Sequence, residues 1–78
     1  MIAFFFFFYF FNNLFSERLT LAMEEQNMSP ETLALRTGVS LSTVRRWLNG
    51  TYEPRHINLP KVARALNVST DYLCGITD

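Results

Sequence analysis

The 78-residue chain contains one cysteine, one histidine, three glycines and three prolines. A single Cys74 excludes an internal disulfide framework, and with a single His56 it excludes a His/Cys cluster of metal-ligand spacing. No glycine-rich phosphate loop is present and no nucleophile–base pair stands out. The expectation is one small, non-catalytic helical domain, not an enzyme, with neither cofactor nor metal. Its size is near the lower limit at which a hydrophobic core suffices without staples.

Net charge is also missing, since seven Lys/Arg balance seven Asp/Glu. The distribution is uneven. Residues 1–31 set Arg18 against Glu17, Glu24, Glu25 and Glu31, a net of −3, whereas residues 36–64 set Arg36, Arg45, Arg46, Arg55, Lys61 and Arg64 against Glu53, a net of +5. Asp71 and Asp78 bring the sum to zero. A local basic field suits a phosphate-facing surface, because neutralising phosphates releases condensed counterions; a solvated charged face is the plainer alternative.

What is abundant is phenylalanine. The chain begins MIAFFFFFYFF, an apolar run over residues 2–11. A spanning helix needs roughly 20 apolar residues, so this run is too short to cross a membrane. It also lacks the basic start and small-residue cleavage site of a secretory signal. It reads as a leader over 1–13 outside the fold, without function, or else as a hydrophobic interaction segment or a membrane-surface segment. Uncharged, β-prone and free of proline, it is an aggregation hazard.

The remainder reads as five short helices around one core, an all-α domain over 14–75 with a tail at 76–78. Asn12 or Asn13 caps a first helix from about Leu14 to Gln26, whose Phe15, Leu19 and Ala22 share a face. Asn27 takes the helix-ending backbone. Ser29 caps a second helix, with Pro30 tolerated at its first position and Glu31 favourable at the positive end. Gly38 ends that helix. Ser40 caps a third, with Val44, Trp47 and Leu48 at helical spacing, and Gly50 stops it. Two such helices joined by a short glycine-containing turn form either a helix-turn-helix or a generic helical hairpin. A polar loop follows; Asn58 then caps a fourth helix bearing Leu59, Val62, Ala63 and Leu66. Ser69 caps a fifth helix that Gly75 ends.

From about Phe15 to Gly75 the sequence resembles the phage-repressor/Cro (Xre-type) helix-turn-helix family. The matches are Glu17-Arg18-Leu19, Met28-Ser29, Leu33-Ala34, Gly38-Val39-Ser40, Ser42-Thr43-Val44, Arg46-Trp47, Gly50, Glu53-Pro54, Ala63 with Leu66-Asn67-Val68, and Tyr72-Leu73 with Gly75. Each is weak alone; their order and spacing are specific. The resemblance implies a lambda-repressor-like domain whose second and third helices form the helix-turn-helix. Its recognition helix, Leu41 to Asn49, would lie in the major groove. Carried over by position, Leu41, Ser42, Arg45 and Arg46 contact bases, and Thr32, Thr43, Asn49 and Arg55 contact phosphates. Arg46 can donate a bidentate pair to guanine, worth roughly 1–3 kcal/mol of discrimination, while Leu41 can only pack on a thymine methyl.

Two departures from the family pattern matter. Pro30 stands where a phosphate-clamping glutamine is usual, so Thr32 or the helix N-terminus must serve. Met23 and Leu48 stand where many members carry a buried Arg–Glu pair. Losing one partner strands a charge at a cost of about 3–5 kcal/mol, whereas replacing both by packed apolar groups is often neutral. Met23 is therefore expected against Leu48.

The function so implied is a cytoplasmic, sequence-specific transcriptional regulator, a repressor, bound to double-stranded DNA as a homodimer on two half-sites. A membrane partner is not expected. One alternative is the antitoxin of a toxin–antitoxin pair, with a toxin protein as partner. The other is an interaction module that holds a protein or membrane through the aromatic leader.

Overall fold

The structure, a computed structural model, describes residues 2–51 and 57–76, with side chains described from residue 14 onward. Five helices are formed, α1 (Ile2–Glu25), α2 (Pro30–Thr37), α3 (Leu41–Leu48), α4 (Leu59–Leu66) and α5 (Thr70–Cys74), with no strand among the described residues.

Helices α2, α3 and α5 begin as their sequences predict. The Ser29, Ser40 and Ser69 hydroxyls accept from the backbone N–H of Thr32, Thr43 and Tyr72 at 3.2, 3.2 and 3.0 Å. Each such cap satisfies one orphan donor of a first turn. Gly38 (φ 77°) and Gly75 (φ 80°) close α2 and α5 in the left-handed conformation, and Asn27 (φ 53°) turns the chain after α1. Asn67 (φ 57°) does the same after α4.

Two boundaries differ from expectation. α1 starts at Ile2 and carries Asn12 and Asn13 in its interior, so neither caps it. No glycine or proline precedes Pro30. An interior asparagine costs less than about 0.7 kcal/mol relative to alanine, so nothing local stops the helix from continuing through the aromatic run. Asn58 stands at the N-cap position of α4 but in a helical conformation, and its side chain makes no capping bond. With Pro60 in the first turn, one of the N–H groups that would need a cap is absent from the start.

The principal helix contacts are α1 with α3 and α5, α2 with α3 and α4, and α4 with α5. These close a ring in the order α1–α3–α2–α4–α5. Its centre is filled from all five helices, with Leu19, Leu33, Val44, Trp47, Val62, Leu66 and Leu73 fully buried. Burying such side chains stabilises by about 1.5–3 kcal/mol each, and this burial fixes the pitch of α3.

Arg18 ties the two ends of the ring. It donates from Nη1 to the Tyr72 carbonyl at 3.0 Å, and its guanidinium lies 4.6 Å from the Tyr72 ring centroid. A cation at the carbonyl end of α5 complements the helix dipole, and the ring face adds a cation–π contact. Met23 and Leu48 line one depression where α1 meets α3, together with Thr20 and Met28. The two positions at which the resemblance would place a charged pair are thus brought together as apolar walls.

Candidate nucleic-acid interface

Helix α3 is short, and its two sides have opposite chemistry. At about 100° of rotation per residue, Ser42, Arg45, Asn49 and Arg46 fall within one arc of about 100°, and all four are exposed. Val44 and Trp47 fall on the other side and are fully buried. Leu41 and Thr43 mark the two edges and are half-buried. The buried pair sets the helix against α1 and α2, so the polar arc is held rigidly outward.

The exposed arc is cationic. Among the described residues neither the Arg45 nor the Arg46 guanidinium makes an ion pair or hydrogen bond; the Arg45 and Arg46 carbonyls accept from the Asn49 and Thr51 N–H groups at 2.9 and 3.0 Å. Asn49 is the C-cap of α3, one residue beyond the helix proper, and it projects from the far end of the same arc. The helix therefore spans Leu41–Leu48, with Asn49 as its cap rather than its last residue.

At the N-terminal end three hydroxyls gather around Ser40. Its Oγ lies 3.1 Å from the Ser42 Oγ and 2.8 Å from the Thr43 Oγ1. Thr43 is held in the cap rather than projecting freely, while Ser42 can exchange its hydroxyl contact for another acceptor. Thr32 is in a similar position on α2: its Oγ1 lies 3.0 Å from the Ser29 Oγ. Pro30 occupies the first position of α2, without an N–H to offer there.

Leu41 lines a depression with Glu31, Leu35 and Val39 at the α2–α3 turn, and is therefore only partly available to a ligand. Arg55 and His56 lie outside the described residues. Two features were not recognised from the sequence. One is that Asn49 shares an arc with Arg45 and Arg46, which counting helical rotation would have found. The other is Arg18 as a tie between α1 and α5, for which no local signal exists.

The helix-turn-helix family model matches residues 19–73, which takes in this interface and the ring that supports it. The chain belongs to the helix-turn-helix family. That membership agrees with the phage-repressor/Cro resemblance and with the all-helical fold. An uncharacterised HTH-type transcriptional regulator of Haemophilus influenzae is 39% identical over 59 residues, covering 76% of this chain and 24% of the relative. The cryptic phage CTXphi transcriptional repressor RstR of Vibrio cholerae is 36% identical over 59 residues, covering 76% of this chain and 53% of the relative. The chain thus spans about a quarter and about half the length of these two relatives. No solved structure matches the chain at a significant level.

Proposed function

We propose that this helix-turn-helix chain is a sequence-specific DNA-binding transcriptional regulator acting as a repressor in the cytoplasm, without catalysis. The observation that carries this reading is the outward arc of Ser42, Arg45, Arg46 and Asn49 on a helix anchored by Val44 and Trp47. One of the two relatives above is named a transcriptional repressor and the other a transcriptional regulator, which supports the same reading.

In this proposal residues 14–75 are the DNA-binding domain, with 1–13 outside it and 76–78 a tail. The arc of α3 enters the major groove. Arg46 and Arg45 donate to base edges, Ser42 donates or accepts beside them, and Leu41 contributes apolar contact at the edge. Thr32, Thr43, Asn49 and Arg55 hold phosphates, which fix register without reading sequence. The hydroxyls of Thr32 and Thr43 serve from within their caps, and Arg55 takes its part from the α3–α4 connection. Occupying the groove blocks polymerase access. A single small module covers roughly 600–1,000 Å² of protein surface, so a homodimer on two half-sites about 34–36 Å apart supplies the remaining specificity.

Selection of bound sequences from a random DNA pool tests this directly. The expected result is a defined site, palindromic if the protein acts as a dimer, with affinity falling steeply as salt rises. Enrichment of no sequence, or binding indifferent to salt, would sink the proposal.

A further inference from the structure

Away from α3 the surface carries two features of opposite sign that DNA reading leaves unused. In the crease between α2 and α4, Arg36, Lys61 and Arg64 line one depression with Ala65. All three cations are exposed, and none is paired with another described residue. Leu35, next to Arg36 in sequence but on the α3 side of α2 where it lines the depression shared with Leu41, is 84% exposed, more than any other large hydrophobic among the described residues. Clustered like charges repel, and an exposed leucine gains by leaving water. An acidic surface that also carries an apolar residue, reaching past the crease to Leu35, would relieve both.

This chain carries such a surface. On the outer side of α1, Glu17, Leu21 and Glu24 fall at i, i+4 and i+7, which is one stripe of a helix. Glu17, Leu21 and Glu24 line a shallow depression with Ser16 and Thr20, and Leu21 is 53% exposed. The neighbouring cation, Arg18, is turned away to Tyr72 and leaves the stripe acidic.

The ring keeps stripe and crease apart within one molecule. α1 makes its principal contacts with α3 and α5, and lies across the ring from the edge where α2 meets α4. The crease cations sit where α2 meets α4, which packs principally on α2 and α5, while Leu35 lies between them and the edge of α3 marked by Leu41.

We propose that the α2–α4 crease docks the outer face of α1 from a second copy of this chain. Arg36, Lys61 and Arg64 face Glu17 and Glu24, and Leu35 packs on Leu21. Because the contact joins two different patches, it is head-to-tail and builds either an open row or a closed ring of copies. Neighbouring copies on DNA would then bind cooperatively.

The test uses the full chain, free of DNA. Sedimentation would be followed at about 0.05 M and about 0.5 M salt, because exposed charge pairs are screened over that range. Two variants are compared with the parent after circular dichroism confirms that both are helical. One reverses the stripe (Glu17→Lys with Glu24→Lys), and the other reverses the crease (Arg36→Glu with Lys61→Glu and Arg64→Glu). The parent is expected to associate at least about tenfold more tightly at low salt, a difference of about 1.4 kcal/mol. Each variant alone should lose that salt-sensitive association, and an equimolar mixture of the two should regain it. Failure of the mixture to associate overturns the proposal, as does association that survives both reversals. So does a result in which reversing the crease weakens binding to a short duplex about tenfold or more while leaving association intact; phosphates would then be its occupant. None of these readouts depends on which bases α3 reads.

Discussion

The two sides of α3 differ in what they are asked to do. Val44 and Trp47 are fully buried and hold the helix on α1 and α2, while Ser42, Arg45, Arg46 and Asn49 are exposed and face outward. One side determines whether there is a helix at a fixed angle; the other determines what it meets. Substitutions should therefore separate cleanly into those that remove the fold, and the proposed DNA binding with it, and those that remove only the proposed recognition.

The largest expected effect lies on the buried side. Trp47→Ala should cost about 3–5 kcal/mol through lost burial and the cavity left behind. Since small domains have total stabilities of about 5–15 kcal/mol, thermal unfolding should show little folded protein, and DNA binding should vanish in parallel. A Trp47→Ala protein with an unchanged melting temperature would show that the buried side does not hold α3.

Nearly as large is the effect of placing one charge where α1 meets α3. Met23→Arg should destabilise by about 3–5 kcal/mol, and adding Leu48→Glu should recover most of the loss, because a partner satisfies the stranded charge. Denaturant titration of the single and double variants measures the coupling. No recovery in the double variant would mean that the two positions do not share a site.

Intermediate effects belong to the helix ends. Ser40→Ala should cost about 1 kcal/mol by removing the acceptor for the Thr43 N–H. Gly75 and Gly38 offer a further contrast, since both have a left-handed backbone that a Cβ strains by about 1–2 kcal/mol. A Cβ on Gly38 meets open space, whereas one on Gly75 runs into the Leu14 side chain. Gly75→Ala should accordingly lower the unfolding midpoint further than Gly38→Ala; the reverse order would show that Leu14 yields freely.

The smallest stability effect should come with the sharpest functional one. Arg46→Ala on the outward arc should change stability by no more than about 0.5 kcal/mol. In the proposed function it should also relax base preference by about 1–3 kcal/mol at one position of each half-site. Melting curves and competition binding against single-base operator variants measure the two together. A loss of stability without a change in preference would move Arg46 to the structural side of the helix.

Much of this division was legible in the sequence. Serines followed by a helical pattern marked the starts of α2, α3 and α5, and glycine or asparagine marked most ends. These signals act over three or four residues, so no tertiary partner is needed for them to operate. The spacing of Val44 and Trp47 likewise marked the buried side of α3. What depended on more distant partners was less readable. The length of α1 follows from the lack of any stop signal rather than from the asparagines that seemed to supply a start. Asn58, which has the chemistry of a cap, makes no capping bond in the backbone conformation it adopts. Leu41 is drawn partly into the α2–α3 turn, which reduces what it can offer to a base.

The sequence by itself thus determined that the segments from about Leu14 onward are helical, where α2, α3 and α5 begin, and which residues are apolar on each, but not that α1 extends back to Ile2. Those choices depend on local hydrogen bonding and on a fixed rotation per residue. Only the tertiary structure decided the ring order of the helices, the engagement of Arg18 with Tyr72, and the separation of the acidic α1 stripe from the basic α2–α4 crease. Each of these depends on which distant side chains fill the same volume, and a sequence read a few residues at a time does not encode that.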